Sequence, residues 1–178
     1  MSVLDHNRLL NSFTSDLMKG NVERLEIFNI YHYLRKASFS AAIIAQDTLG
    51  TFPTAFLEWM KYCDGGLLFD TVMLSSKDYD AEEDLYFDTF ADYNTSEVKE
   101  EMGLPEGYSV FAVRSYGDPL CFHAEGGDEK VYLWNIDEAI FEEVWDTFED
   151  WLTDEIDNAI QLIGEEVLDP IELKLGEE

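Results

Sequence analysis

The sequence predicts an α+β fold in which helices pack on a mostly antiparallel sheet. Apolar residues recur at helical spacing in the first third and at the end of the chain. Between these regions, short apolar segments alternate with glycine-containing turns, which is typical of paired strands. The chain has 178 residues, of which 46% are hydrophobic, so it is long enough for a single domain with a substantial core.

The N-terminal segments are interpreted as helical. Residues 4–19 carry an apolar stripe formed by Leu9, Leu10, Phe13 and Leu17. Residues 22–37 fit helical spacing loosely, although their isoleucine and aromatic residues would also suit a strand, and we interpret them as a helix. A short helix capped by Ser38 or Ser40 is then expected to end at Gly50.

The segment 52–68 is the predicted centre of the core. Pro53 suits the first position of a helix, where its missing N–H would be unpaired anyway. The apolar face of this helix consists of Phe56, Trp59, Met60 and Cys63. Gly65 and Gly66 are interpreted as its left-handed stop, after which a strand begins at Leu67.

The middle of the chain is predicted to be mostly strands. Residues 71–74 are rich in β-branched and large apolar side chains, and residues 85–90 suit a strand or an extended segment. A short helix is expected over residues 97–102, ended by Gly103. The clearest strands are 108–114, 120–124 and 131–135, which glycine-containing turns connect into an antiparallel meander over about 108–135.

The last predicted helix begins at Thr147, which resembles the first residue of a capping box with Asp150 as its partner. Its apolar stripe runs from Phe148 to Ile163, and most of its acidic residues lie off that stripe. Residues 164–178 form an acidic tail interrupted by Pro170.

The net charge of −28 is confined to one part of the chain. Residues 1–63 contain six acidic and six basic residues, so the other 33 acidic residues face only five basic ones after that point. Such a field repels nucleic acid and anionic lipid and attracts a basic protein. Solubility alone is the alternative explanation for the charge.

Several function classes find no support in the sequence. It has no run of 18 apolar residues and no signal-peptide pattern, so we expect a cytoplasmic protein with Cys63 and Cys121 as buried reduced thiols. We identify no catalytic or cofactor motif, and the scattered histidines predict no metal site. The acidic stretch after residue 77 fails as a calcium loop, because Glu83 and Thr89 occupy positions that need glycine and glutamate.

The chain resembles the SMI1/KNR4 family, also called the SUKH superfamily, over about residues 37–152. The resemblance rests on five motifs in the family's order: Ala37-Ser38 with Ile44 and Leu49-Gly50, Phe52-Pro53 with Phe56-Leu57 and Gly65-Gly66, Gly117-Asp118 with Leu120-Cys121-Phe122, Val131-Tyr132-Leu133-Trp134, and Thr147-Phe148-Glu149-Asp150-Trp151-Leu152. It implies one α+β domain over 1–178, with a core at about 37–152, an N-terminal helical arm at 1–36 and an acidic C-terminal helix and tail at 153–178.

The resemblance also implies a non-enzymatic binding role. Bacterial members of the family are typically immunity proteins that neutralise a toxin domain, often a nuclease, whereas fungal members regulate through protein partners. The first hypothesis is therefore an immunity protein with a basic, nuclease-type toxin partner and with no cofactor, nucleic acid or membrane ligand. The alternative is a regulatory or scaffold module without a toxin, and the oligomeric state stays open.

The stretch 78–86 supplies the predicted partner-binding residues. Its carboxylates could meet a basic surface, and its two tyrosines could act as aromatic anchors. The residues are Asp78, Tyr79, Asp80, Glu82, Glu83, Asp84 and Tyr86. A solvated surface loop is the alternative reading of the same stretch.

Overall fold

The computed structural model describes residues 25–27, 30–37, 40–61, 63–68, 70–77, 88–163 and 174–175. The predicted helix over 4–19 lies outside these residues, as does the acidic tail apart from residues 174–175. The organisation into an N-terminal arm, a core and an acidic tail therefore stays a prediction, except that strands replace the predicted helix over residues 22–37.

Nine strands of the described residues form one sheet in which every pairing is antiparallel. They are β1 (Leu25–Ile27), β2 (Ile30–Lys36), β3 (Cys63–Leu68), β4 (Thr71–Met73), β5 (Tyr108–Arg114), β6 (Pro119–His123), β7 (Val131–Asn135), β8 (Ile140–Trp145) and β9 (Lys174–Leu175). The strand order is β8-β7-β6-β5-β4-β3-β2-β1-β9, so consecutive strands are neighbours and β9 returns to pair with β1. The predicted α+β fold and the meander over 108–135 are confirmed.

Five helices accompany this sheet in the described part of the chain: α1 (Ala41–Leu49), α2 (Thr54–Trp59), α3 (Phe90–Tyr93), α4 (Ser96–Glu101) and α5 (Phe148–Ile163). The predicted cap of α5 is present, since the Asp150 backbone N–H donates to the Thr147 hydroxyl at 3.0 Å. Thr89 and Asp92 form a complete capping box on α3. None of the described helices is both long and apolar enough to span a membrane.

The core is centred on Phe56 of α2. Its ring lies 4.9 Å from that of Phe122 on β6, 5.3 Å from that of Phe111 on β5 and 5.4 Å from that of Phe148 on α5. These four phenylalanines are at most 1% exposed. The predicted core residues Phe56, Trp59, Met60 and Cys63 are all buried, although Cys63 lies in β3 and not on the helix. Cys63 and Cys121 are buried thiols as expected.

The predicted helix over 22–37 is wrong, because β1 and β2 occupy residues 25–27 and 30–36. Pairing of β2 with β3, which aligns Tyr33 with Leu67, favours the extended conformation that the β-branched and aromatic composition also allowed. Tertiary pairing therefore overrides a weak helical pattern.

The core helix is also shorter than predicted. Helix α2 ends at Trp59, and Gly65 and Gly66 lie inside β3 instead of stopping the helix. Gly66 pairs with Leu34 on one side and Met73 on the other, which places it in the middle of the sheet.

Two further differences concern the second half of the chain. Phe90 begins α3, whereas the sequence suggested an extended segment through that residue. Strand β8 was not predicted at all, since residues 136–139 contain no glycine or proline and form a turn in which Ala139 has a φ of 52°. This strand extends the meander by one strand and forms one edge of the sheet.

Candidate partner-binding surface

The seven predicted contact residues, Asp78, Tyr79, Asp80, Glu82, Glu83, Asp84 and Tyr86, lie outside the described residues. The structure describes the residues on both sides of this stretch, and backbone hydrogen bonds join the two sides. Ser75 donates its backbone N–H to the Asp88 carbonyl at 3.0 Å, and the Phe90 N–H donates to the Ser75 carbonyl at 2.8 Å. The segments 75–77 and 88–90 therefore lie side by side.

Asp64 fixes the segment 75–77, which precedes the predicted contact residues. Its buried carboxylate accepts hydrogen bonds from the backbone N–H and the hydroxyl of Ser76, both at 2.6 Å. Gly65 has a φ of +83°, and a Cβ there would lie 2.8 Å from the Cβ of Ser75. The Asp64-Gly65 pair therefore holds Ser75 and Ser76 against β3, a role that the sequence does not reveal because it depends on a contact between β3 and the segment after β4.

A buried ion pair lies at the opposite end of β4. The Arg114 Nη1 donates to the Glu155 Oε1 at 2.6 Å, and the Thr71 hydroxyl donates to the same oxygen at 2.9 Å. Arg114 also contacts Asp70 at 3.1 Å. Burial raises the pKa of Glu155 to about 7, although the guanidinium of Arg114 opposes this shift.

The geometry of this ion pair favours a structural role. Glu155 is 3% exposed, and hydrogen bonds from Arg114 and Thr71 occupy its carboxylate. The described residues contain no group of three or more histidine, cysteine or acidic side chains that could hold a metal ion. The pair therefore fastens α5 to β4 and β5.

An aromatic cluster lies on the face of the sheet opposite Phe56, and we call it the outer cluster. It consists of Tyr108, His123, Tyr132, Trp134 and Phe141. Tyr108 stacks on His123 with a centroid separation of 4.7 Å, and Phe141 lies 4.6 Å from Tyr108 and 4.9 Å from Trp134. Only Trp134 is fully buried, and its indole N–H donates to the Met102 carbonyl at 2.9 Å.

Asp128 holds the exposed side of the outer cluster. Its Oδ2 accepts a hydrogen bond from the Tyr132 hydroxyl at 2.9 Å and lies 3.6 Å from the His123 Nδ1. Burial raises the pKa of Tyr132, and the hydrogen bond to Asp128 adds to this rise. A Cβ on Gly126 would lie 2.1 Å from the His123 Nδ1, so this turn needs glycine for the imidazole to keep its position.

Strand β8 continues the outer cluster to the edge of the sheet. Phe141 packs on the cluster, while Ile140 is 47% exposed and Val144 is 48% exposed. Residues 136–146 contain five acidic and no basic residues, namely Asp137, Glu138, Glu142, Glu143 and Asp146. Lys130 reaches Asp146 at 3.3 Å. This edge therefore combines exposed aliphatic groups with negative charge.

This surface is not evident from the sequence. Residues 140–145, Ile-Phe-Glu-Glu-Val-Trp, do not alternate between apolar and polar, and the turn before them contains no glycine. Neither of the usual signals of a strand hairpin therefore marks β8 in the sequence. The grouping of Tyr108, Tyr132 and Phe141 depends on the sheet order, which residue spacing does not reveal.

Comparison with known proteins places the fold in a family. The model of the SMI1 / KNR4 family (SUKH-1) matches residues 42–154, which is more than half of the chain. The match includes α1 to α4 and β3 to β8, and so it includes Phe56, Asp64 and the outer cluster. No curated protein matches the sequence.

Proposed function

Because the chain belongs to the SMI1/KNR4 (SUKH-1) family, we propose that it is a non-enzymatic protein-binding module that neutralises a basic, nuclease-type toxin domain, as an immunity protein does. The observation that carries this proposal is that the matched region is also the acidic region. Residues 64–154 contain 25 acidic and four basic residues. The family implies a binding role, and the charge indicates the kind of protein that would bind.

The chemistry of nucleases supports this choice of partner. A nuclease must present basic groups where it holds the phosphates of its substrate. An acidic protein can cover the same groups, and long-range attraction increases the rate at which the two proteins meet. The proposal also includes a cytoplasmic location, in which the thiols of Cys63 and Cys121 stay reduced.

The acidic residues of the described chain are mostly available for such contacts. Asp64 and Glu155 are its buried carboxylates, and each accepts hydrogen bonds from other residues of the fold. The acids of the β7–β8 hairpin lie on an edge of the sheet instead. The charge is therefore spread over the surface, where it can act on a partner.

Calorimetric titration with the toxin domain encoded beside this protein tests the proposal. We expect nanomolar affinity at low salt and a clear loss of affinity at high salt, because a screened charge contributes less. The same toxin domain should lose its nuclease activity in proportion to the bound fraction. Absence of binding at both salt concentrations would reject that toxin as the partner.

A further inference from the structure

Among the strands that the structure describes, β8 has one neighbour, β7. It pairs with β7 from Val131 opposite Trp145 to Asn135 opposite Ile140. On its other side, none of the described strands lies beside it. Backbone N–H and C=O groups along that side are therefore positioned to accept another extended segment.

The side chains of β8 both fix the strand and leave it accessible. Phe141 packs against Trp134 and Tyr108, so the strand is attached firmly to the outer cluster. The Trp145 indole N–H donates to Asp154 of α5 at 3.1 Å, which holds the end of the strand. Ile140 and Val144 are about half exposed and offer apolar contact to a neighbouring strand.

The charge on this edge selects the kind of occupant. Glu142 and Glu143 lie in the middle of β8, and Asp137, Glu138 and Asp146 flank it. Charged side chains commonly protect an edge strand from random pairing. A second copy of this chain would bring like charges together if β8 paired with itself, whereas a lysine- or arginine-bearing strand would bring opposite charges together.

We propose that the outer edge of β8 is the docking site for an extended basic segment of the protein partner, which adds to the sheet as a further strand. This inference rests on the proposed function, because it names where a basic partner binds. Main-chain hydrogen bonds to β8 supply affinity, and pairing of basic side chains with Glu142 and Glu143 supplies selectivity. Val144 and Ile140 contact the aliphatic parts of the incoming strand.

Hydrogen–deuterium exchange locates the site. The full chain is compared alone and with the toxin domain, and we expect the outward-facing backbone amides of residues 140–145, those that do not bond to β7, to exchange more slowly only in the complex. Protection of these amides in the free protein at every concentration would mean that another segment of this chain covers the edge. Protection that increases with protein concentration would mean that a second copy does, and either result would overturn the proposal.

A pair of charge-matched variants separates local pairing from general attraction. Glu142→Lys with Glu143→Lys reverses the edge, and Glu100→Lys with Glu101→Lys reverses two exposed acids on α4 with the same change in net charge. We expect the first variant to lose roughly tenfold or more in affinity and the second to lose only about twofold. Equal losses would overturn the edge as the docking site while leaving a basic partner in place.

A peptide probe keeps this inference separate from the choice of toxin. A short synthetic peptide of alternating lysine and valine should slow exchange in β8, and the same peptide with proline in place of valine should not, because proline cannot donate to a strand. If the toxin fails to bind but the lysine–valine peptide protects β8, the edge proposal stands and that toxin is rejected. If neither ligand protects β8, the edge proposal is wrong.

Discussion

The two faces of the sheet carry aromatic side chains that differ in burial and in chemistry. On the face that α2 and α5 cover, the rings of Phe56, Phe111, Phe122, Phe148 and Trp151 are at most 1% exposed. On the opposite face, Tyr108, His123, Tyr132 and Phe141 of the outer cluster remain partly exposed. Phe122 and His123 are consecutive residues of β6, so one strand supplies both clusters.

This difference indicates a division of roles. Phenylalanine carries no polar atom, so the rings around Phe56 gain most from complete removal from water. Tyrosine and histidine have an apolar body and a polar end, which suits a surface that meets both water and a partner. Complete burial is therefore concentrated on the covered face, whereas the outer cluster and β8 stay partly exposed and form the surface to which the proposal assigns recognition.

The largest expected effect is a loss of unfolding free energy, and it compares a ring on the covered face with a ring of the outer cluster. Phe56→Ala should lower the free energy of unfolding by about 3–5 kcal/mol, because it leaves a cavity among five other phenylalanine rings. Phe141→Ala should cost only about 1–2 kcal/mol, because its ring is partly exposed. Denaturant titration of both variants measures the two values, and equal costs would contradict the proposed division.

A second prediction concerns the buried ion pair between Arg114 and Glu155. Burial raises the pKa of Glu155 to about 7 from its ordinary value of 4.5. The folded state therefore binds more protons than the unfolded state between these values, and stability falls as the pH rises through this range. The upper bound of the loss is on the order of 3 kcal/mol, and the pKa of about 7 from which it follows already includes the opposing effect of Arg114.

Urea unfolding at about pH 5 and pH 8 tests this sign for the wild type and for Glu155→Gln. The glutamine variant should lose this part of the pH dependence, since it has no proton to exchange. Asp157→Asn removes the same charge from an exposed position on α5 and should keep the wild-type slope. A glutamine variant with an unchanged slope would show that Glu155 is ionised in the folded protein throughout this range.

The parts of the fold that the sequence predicted are those with strong local signals. The strands over 108–135 have alternation and glycine turns, and α5 has a cap and a continuous apolar stripe. Residues 30–36 were misassigned because their conformation depends on pairing with β3, which is about 30 residues away along the chain. Gly65 and Gly66 were misassigned for the same reason, since glycine can end a helix or allow close approach inside a sheet.

The candidate surface was less accessible to sequence reasoning. Acidic composition predicted a basic partner, but 33 acidic residues after position 63 do not indicate one surface. Strand β8 becomes distinctive only when the sheet order shows that it is an edge. The role of Asp64 likewise depends on its contact with Ser76, which lies 12 residues further along the chain, after β4.

A third prediction tests how rigid the outer cluster is. Gly126→Ala should displace the imidazole of His123 from Tyr108, because the new Cβ would overlap its ring. We expect a loss of about 1–2 kcal/mol in unfolding free energy, since a partly exposed ring can rotate away at limited cost. Gly127→Ala does not serve as a control because Gly127 has a φ of +61°, so Glu125→Ala on the same turn is used instead.

Denaturant titration gives the energy for Gly126→Ala, and the aromatic proton chemical shifts of Tyr108 report whether the stacking is lost. A change in shift without a loss of stability would mean that the outer cluster rearranges freely. A stability loss as large as that of Phe56→Ala would instead make the outer cluster a second core, contrary to the division of roles.

The smallest expected effect on stability separates folding from recognition most directly. Val144→Ser and Ile43→Ser each replace an exposed aliphatic residue, 48% and 57% exposed respectively, on β8 and on α1. Both should change the unfolding free energy by no more than about 0.5 kcal/mol, because little apolar area returns to water. Affinity for the toxin domain should fall only for Val144→Ser, since β8 is the proposed docking edge and α1 is not.

Calorimetric titration of both variants measures this difference. Equal affinities would show that the aliphatic side chains of β8 contribute nothing to recognition, and any selectivity of the edge would then come from its backbone and its carboxylates.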